Sequence, residues 1–313
     1  MKKKRLTGTS LDWSRIGLGC WAMGGEYWGA VKDGDSLATM ERAVAHGINW
    51  FDTAPLYGKG RSDKLVGQFA RKNAISIATK VGIRWDQQHA RSDLSSTHLR
   101  NDVPRILKRL QVEHIDLLQV HWPCQSGTSL KETFETLAEL REDGYFSHLG
   151  VCNYDAAALS RIQKITPIIT HQSPYSMVRR AFESTLAPSN AQLGIKSIAY
   201  EPLCRGLLTG KYTTRPRFPR EDLRHTDERF QGLAFSHIQR ILSDLSQVAD
   251  KVNVPLAALS LGWVLQRSDF VLVGAKTPKQ LDENVNANSL IDHKKLWTIV
   301  DKILAIHGGV PRL

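Results

Sequence analysis

Four side chains with complementary proton chemistry stand at the ends of short apolar runs in this sequence: Asp52, Tyr57, Lys80 and His121. The first two close the stretch GINWFDTAPLYG, in which Ile48, Trp50 and Phe51 have strand character and Gly47 reads as the end of a preceding helix. Lys80 falls within ISIATKV, and His121 follows IDLLQV. A phenol ionises at about pH 10, too high to share its proton easily near neutrality. A nearby ammonium favours the phenolate and brings that value down, a role open to Lys80 acting on Tyr57. A carboxylate such as Asp52 would keep the lysine charged and aimed, and an imidazole such as His121 can hydrogen-bond a reacting oxygen. Taken singly, each residue has an ordinary reading. Asp52 could cap a helix, Tyr57 could be an amphipathic core residue, Lys80 a solvated strand end and His121 a satisfied core histidine. The elements around them must bring all four to one place before they make a site.

The hydrophobic pattern supplies such elements. Strands are predicted at 16–21, within the 47–58 stretch, and at 75–81, 115–122, 148–153, 168–172, 195–200 and 270–273. Helical stripes lie between them: Leu37, Met40, Val44 and Ala45; Leu65, Val66 and Phe69; Leu99, Val103, Ile106 and Leu110; then 130–143, stopped by Gly144, and 156–164. The turn containing Trp85, Asp86 and Gln87 precedes the helix that Ser95 or Ser96 caps. Residues 5–15 read as a small hairpin outside the main architecture, and 203–235 as a long, charged, proline-bearing loop after the seventh strand. Eight strands alternating with about eight helices predict a single (β/α)8 TIM barrel over residues 1–313, an α/β fold whose reactive groups gather where the strands end. The four side chains should therefore converge at one mouth. Gly17, Gly19 and Ala22 also spell GxGxxA, a dinucleotide-binding pattern, but the required helix does not follow and that reading is rejected.

Composition narrows the class. Apolar residues make up 42% of the 313 and no run approaches a bilayer-spanning length, so a soluble protein with a sizeable core is expected. The basic start MKKKR lacks the apolar segment of a signal peptide, and a cytoplasmic location is expected. Cys20, Cys124, Cys152 and Cys204 are widely spaced with no CxxC pair, which argues against a local zinc site and suits free thiols in a reducing compartment. A net charge of +11 favours anionic partners, but no basic stripe with interleaved aromatics points to nucleic acid. Neither nucleic acid nor membrane is expected as a partner, and the oligomeric state stays open.

Seven segments (GINWFDTAPLYG, IATK, LLQVHWP, GVCN, HQSPYS, AYEPLCRGLLTGKY and VGAKTPKQLDEN) together resemble the aldo-keto reductase superfamily in order and spacing, across essentially the whole chain. The resemblance implies a (β/α)8 barrel, an NADP(H) cofactor and reversible hydride transfer to an aldehyde or ketone. A carbonyl oxygen receiving a hydride gains negative charge, so it needs an acid and electrostatic support. Tyr57 would be the proton donor, Lys80 its tuner, Asp52 the lysine's anchor and His121 the orienter of the oxygen. By the same resemblance Asn153 and Gln172 match the amides that hold the nicotinamide carboxamide. Tyr200 matches the aromatic that stacks on its ring. Pro202, Leu203, Arg205, Gly206, Leu207, Thr209, Gly210 and Lys211 match the loop around the pyrophosphate, and Gly274, Lys276, Gln280, Glu283 and Asn284 the region at the adenosine end, with Lys276 toward the 2′-phosphate. Two departures bear on the cofactor: Cys152 stands where many members have serine, and Gln280 where many NADPH-preferring relatives have arginine.

Trp21, Tyr27, Trp28, Trp85 and Trp122 are expected to line the pocket of a small carbonyl or alcohol substrate, since aromatic faces suit aromatic aldehydes, steroids or sugar C–H faces alike. The pattern is similar to bacterial branches that include general stress reductases and sugar- or inositol-linked dehydrogenases. Glu26 is a candidate for binding sugar hydroxyls, against a solvated loop carboxylate. All four cysteines fall near predicted strand ends, and at least one is expected close enough to the mouth for alkylation or oxidation to reduce activity. Two rivals stand beside the reductase. One is an NADP(H)-sensing regulatory barrel resembling ion-channel β subunits. The other is a metal-dependent hydrolase using His121, His171 and Asp52.

Overall fold

A computed structural model describes residues 1–86 and 89–308. The chain opens with a two-stranded hairpin, β1 (Lys3–Arg5) and β2 (Asp12–Ser14). The barrel strands follow: β3 (Ile16–Gly19), β4 (Trp50–Asp52), β5 (Ser76–Val81), β8 (Ile115–Val120), β9 (Phe146–Cys152), β10 (Thr170–Pro174), β11 (Lys196–Tyr200) and β12 (Phe270–Gly274). Among the described residues these form one closed parallel barrel, each strand beside its predecessor and β12 returning to β3. The expected (β/α)8 architecture is present. A second antiparallel hairpin, β6 (Ile83–Asp86) and β7 (His89–Ser92), replaces the simple turn expected after Lys80, whereas Gln87 lies outside the described residues.

Helices α1 (Asp33–Ala45), α2 (Arg61–Ala70), α3 (Ser96–Leu110), α4 (Leu130–Glu142), α5 (Ala156–Ile162), α6 (Ala181–Thr185) and α7 (Ala187–Leu193) surround the barrel, with α8 (Gly232–Lys251), α9 (Leu256–Leu265), α10 (Pro278–Val285) and α11 (Lys294–Ile306) completing the chain. Local sequence explains their starts. Ser95, Ser129, Asp155 and Thr277 each accept a hydrogen bond from the backbone N–H three residues on, which satisfies one of the unpaired donors of a helix N-terminus. Leu99, Val103, Ile106 and Leu110 turn inward from α3, as their spacing requires. Among the described residues no single helix is long and apolar enough to cross a membrane; α8 and α9 are so only when taken together, across a 93° bend.

The barrel interior is layered by the two-residue period of its strands. Trp50, Ala78, Leu117 and Ile198 fill an apolar layer with Phe270 and Leu272. Two residues further along the same four strands stand Asp52, Lys80, Gln119 and Tyr200. The N-terminal hairpin closes the bottom: Trp13 stacks on Trp50 at 4.4 Å between ring centroids, and Phe270 meets both rings edge-on. Gly17 exists because of this plug. A Cβ there would lie 2.2 Å from the Trp50 indole, so the glycine makes room for a core ring rather than for a phosphate.

Candidate active site

At the opposite end of the barrel the polar layer forms one buried hydrogen-bonded unit. Lys80 Nζ donates to Asp52 Oδ1 at 2.5 Å, to the Thr53 carbonyl at 3.0 Å and to Tyr57 Oη at 3.0 Å. The second Asp52 oxygen accepts from Gln119 Nε2 at 3.2 Å and Gln172 Nε2 at 3.0 Å. Asp52 and Lys80 are 2% and 1% exposed, so their charges are compensated by each other and by fixed amides rather than by water. His121, the first residue after β8, sets its ring edge-on to Tyr57 at 6.0 Å, and its Nδ1 is buried without a hydrogen-bond partner. Asp52, Tyr57, Lys80 and His121 thus converge, although they come from three different βα units.

The loop 52–60 is what lifts Tyr57 from the strand. It packs against the short 3₁₀ turn Trp21–Gly24, where two glycines meet: a Cβ on Gly58 would lie 2.2 Å from the Gly24 carbonyl oxygen. Thr53 anchors the start of the same loop through its hydroxyl to Asp63 Oδ1 at 2.8 Å, and Asp63 is in turn paired with Arg109 at 3.0 Å. The tyrosine ring is stacked by Trp21 at 5.9 Å.

The electrostatics differ from the expectation at one point. Burial pushes the Tyr57 phenol above its ordinary range; Lys80 works against that rise without cancelling it. Burial also acts to lower the lysine, but Asp52 more than reverses the effect and Lys80 stays charged. His121 is held well below its ordinary value by burial and by Lys80, which keeps the ring neutral. Because Lys80 donates to the phenolic oxygen, Tyr57 retains its own O–H for another acceptor. The unit can therefore give a proton to an oxygen at the mouth, beside a neutral imidazole.

The aromatic residues divide. Trp28 meets Trp21 edge-on at 5.1 Å, and Trp122, 44% exposed, lies nearly parallel to His121 at 6.4 Å. These three extend the wall around Tyr57. Tyr27 sits exposed in the same loop as Trp28, its carbonyl accepting from the Leu223 N–H at 3.3 Å. Trp85 stands in the β6–β7 hairpin beneath Lys59, which belongs to the loop that carries Tyr57. Glu26 Oε2 and Trp28 Nε1 are buried and without hydrogen-bond partners.

The residues expected around the cofactor occupy the strand ends beyond β9. Asn153, with a left-handed φ of 64°, donates to the His121 carbonyl at 3.1 Å and accepts from the Tyr200 hydroxyl at 2.8 Å. Both polar ends of its amide, and the donor end of Gln172, are thus engaged within the protein. After Pro202 and Leu203 the backbone turns left-handed at Cys204, Arg205, Gly206 and Gly210. Leu207 points into the core, and Arg205 is bound to Glu201 at 2.9 Å and Asp227 at 3.2 Å rather than left free for a phosphate. Thr209 caps the Gly206 carbonyl, while the Lys211 ammonium lies over the Tyr212 ring. At the end of β12, Gly274 has open space around its Cα, and Gln280 accepts from the Lys276 N–H at 2.8 Å. Lys276 Nζ donates to the Trp28 carbonyl, so the loop after β3 and the loop after β12 are tied across the groove. Glu283 is exposed and Asn284 buried on α10.

Gln119, Thr53, Asp63 and Arg224 belong to this site and were not singled out by sequence. The period of two offered a signal for Gln119, two residues before His121 on a strand that ends there. Arg224 offered none: it reaches the face of Trp28, 5.6 Å from the ring centroid, from within the long loop. The hydrolase reading fails on geometry. His171 turns outward from β10 to Asn190 of α7 at 3.2 Å, whereas its neighbour Gln172 turns inward to Asp52. Among the described residues no three His, Cys, Asp or Glu side chains are grouped to hold a metal.

A parallel barrel with a buried carboxylate–ammonium–phenol unit at its mouth defines a class of barrel oxidoreductases. The chain belongs to the Aldo/keto reductase family, whose sequence pattern matches residues 15–305. It is 33% identical to the aldo-keto reductase YhdN of Bacillus subtilis, over 90% of this chain and 87% of that one. It is 32% identical to the NADH-specific methylglyoxal reductase of Escherichia coli, over 92% and 93%. The glycerol dehydrogenase of Gluconobacter oxydans has a similar structure, with a TM-score of 0.90 and 33% identity, covering 100% of this chain and 98% of that one. The family comprises oxidoreductases that use nicotinamide cofactors on carbonyl compounds.

Proposed function

We propose that this protein is an NADP(H)-dependent reductase of small aldehydes, ketones or sugars, working reversibly on the corresponding alcohols, with Tyr57 as general acid and base. The observation that carries the reading is the position of the Lys80 ammonium, bound at once to Asp52, the Thr53 carbonyl and Tyr57 Oη in a water-excluded pocket. In reduction Tyr57 gives its proton to the substrate oxygen, and Lys80, kept charged by Asp52, stabilises the phenolate left behind. Neutral His121 orients that oxygen. In alcohol oxidation the phenolate takes the proton back.

The residues fit a nicotinamide dinucleotide. The backbone is left-handed at Arg205, Gly206 and Gly210, a conformation found in turns that bind phosphates, and Gly274 leaves open space before α10. Tyr200, Asn153 and Gln172 would hold the nicotinamide, and the 203–211 loop with Lys276, Gln280 and α10 the remainder. When bound, that cofactor supplies or accepts the hydride. The NADP preference rests on Lys276 beside the groove, since Arg224 there is already paired with Asp222 at 2.5 Å; the NADH-specific relative makes a direct comparison of the two cofactors the natural check. Two relatives named for glycerol and methylglyoxal motivate small polar carbonyls and polyols as the first substrates to try. Four free thiols suit a cytoplasmic setting.

The deciding experiment follows NADPH and NADH absorbance over a panel of aldehydes, ketones, sugars and polyols in both directions, with Tyr57→Phe beside the wild type. The variant should retain cofactor affinity and lose at least about a hundredfold in turnover. Undiminished reduction by Tyr57→Phe would sink the mechanism. Tight cofactor binding by the wild type with no turnover on any substrate would favour the sensing barrel instead.

A further inference from the structure

We propose that the cleft between the β6–β7 hairpin and α3 is a second binding site, for a small molecule carrying a phosphate or diphosphate group, held by Lys59, Arg84 and Arg105. The cleft has a volume of 840 Å³, within the range of small-molecule sites, and none of Asp52, Tyr57, Lys80 or His121 lines it.

Its charge is unbalanced. Lys59, Arg84, Arg105 and Arg109 line it against Asp93 and Asp102. Arg109 is already committed, at 3.0 Å, to the fully buried Asp63. The two acids have other donors. Asp93 accepts from the Ser95 N–H at 3.1 Å and the Ser95 hydroxyl at 2.8 Å, and Asp102 from the Gly82 N–H at 3.2 Å. Arg84 touches Asp93 at 3.3 Å but is 67% exposed, and Lys59 and Arg105 form no salt bridge among the described residues. Two cations without a close ion pair, Lys59 and Arg105, and a half-paired third therefore face one cavity.

Two independent features point to an anion as the missing partner. The hairpin register places Arg84 directly opposite Arg91, a like-charged cross-strand pair for which the single Asp93 contact at 3.3 Å leaves a net positive charge. Lys59 adopts a left-handed φ of 51° between two glycines, a conformation that asparagine or glycine would reach more easily. Its ammonium lies over the Trp85 ring, 5.4 Å from the centroid. Arginine forks with a lysine point charge are the usual recognition set for phosphoryl oxygens. Because Lys59 lies two residues after Tyr57, an occupant would touch the loop that carries the acid.

The test is calorimetric titration of sodium pyrophosphate into the full-length protein, with Arg84→Ala/Arg105→Ala, Lys59→Ala and, in the cofactor groove, Lys276→Ala. Arg84 and Arg105 are exposed, so the double variant should melt with the wild type, and Lys59→Ala tests the same cleft from another element. The wild type should bind pyrophosphate with an affinity that falls as salt rises. Both cleft variants should lose at least about tenfold in affinity while Lys276→Ala keeps it. No binding by the wild type, binding unaltered in the cleft variants, or binding lost in Lys276→Ala would each overturn the proposal. Tighter binding of citrate than of pyrophosphate would overturn the phosphoryl assignment.

Discussion

Lys80 shows how much rests on one side chain. Its ammonium satisfies a buried carboxylate, a carbonyl and a phenol simultaneously. Replacing it by methionine leaves Asp52 charged and buried, a change that costs about 3–5 kcal/mol. Urea unfolding should report that loss for Lys80→Met, and a smaller loss for Lys80→Met combined with Asp52→Asn, since the pair is then neutral together. Tyr57 makes a second prediction. With its phenol held above the ordinary range by burial, opposed by Lys80, and His121 held neutral, neither group changes charge between about pH 7 and about pH 9. Carbonyl reduction should therefore be flat across that window, and a reduction rate halving near neutrality would contradict the assignment. Among the cysteines, Cys20, Cys152 and Cys204 are buried with their thiols pushed up by burial. Cys124 is part-exposed; burial raises it, but hydrogen bonds from the Ser126 hydroxyl and neighbouring donors bring it to about 7. Iodoacetamide at neutral pH should label Cys124 first, as peptide mass spectrometry of wild type and Cys124→Ser will show.

At the scale of elements, the site depends on how the Tyr57 loop seats on the turn after β3. Gly58 has a φ of 60°, and a Cβ on it would press into the Gly24 carbonyl at 2.2 Å, a contact with backbone that cannot swing away. Gly58→Ala should displace Tyr57 rather than unfold the barrel, lowering turnover by at least about tenfold with a smaller effect on cofactor affinity, a split that steady-state kinetics and fluorescence titration can separate. The same turn region carries Trp28, whose carbonyl and ring are gripped by Lys276 and Arg224 from two other loops. Loops after β3, β11 and β12 are thus joined over the groove.

At the scale of the molecule, closing the barrel buries histidines that the unfolded chain would protonate. Burial pushes His171 down to about 4, and the Asn190 hydrogen bond only partly opposes it. A histidine depressed in the folded state contributes stability that is full above its unfolded value of about 6.5 and is lost as pH falls toward the folded value. His171 should therefore cost about 2 kcal/mol between pH 7 and pH 5. His121, lowered further, adds to the same slope. Denaturant midpoints measured across that range should decline, and His171→Gln should flatten the decline.

The strand–helix alternation, the barrel and the residue types at the strand ends are legible in the linear chain. These rest on local signals: period-two and period-3.6 apolar spacing, caps such as Ser95, and glycine stops such as Gly144. The β6–β7 hairpin escaped because its apolar pattern is weak, with Arg84 and Arg91 facing each other where hydrophobic neighbours usually announce a pair. The partners of these residues emerge only when the barrel closes. Gln119 and Gln172 lie 67 and 120 positions from the carboxylate they hold, Trp85 lies beneath Lys59, and Arg205 turns to Glu201 and Asp227. The protonation state of Tyr57 was equally hidden. A sequence names the phenol and the ammonium, but whether burial or charge dominates depends on how much water closure of the barrel removes.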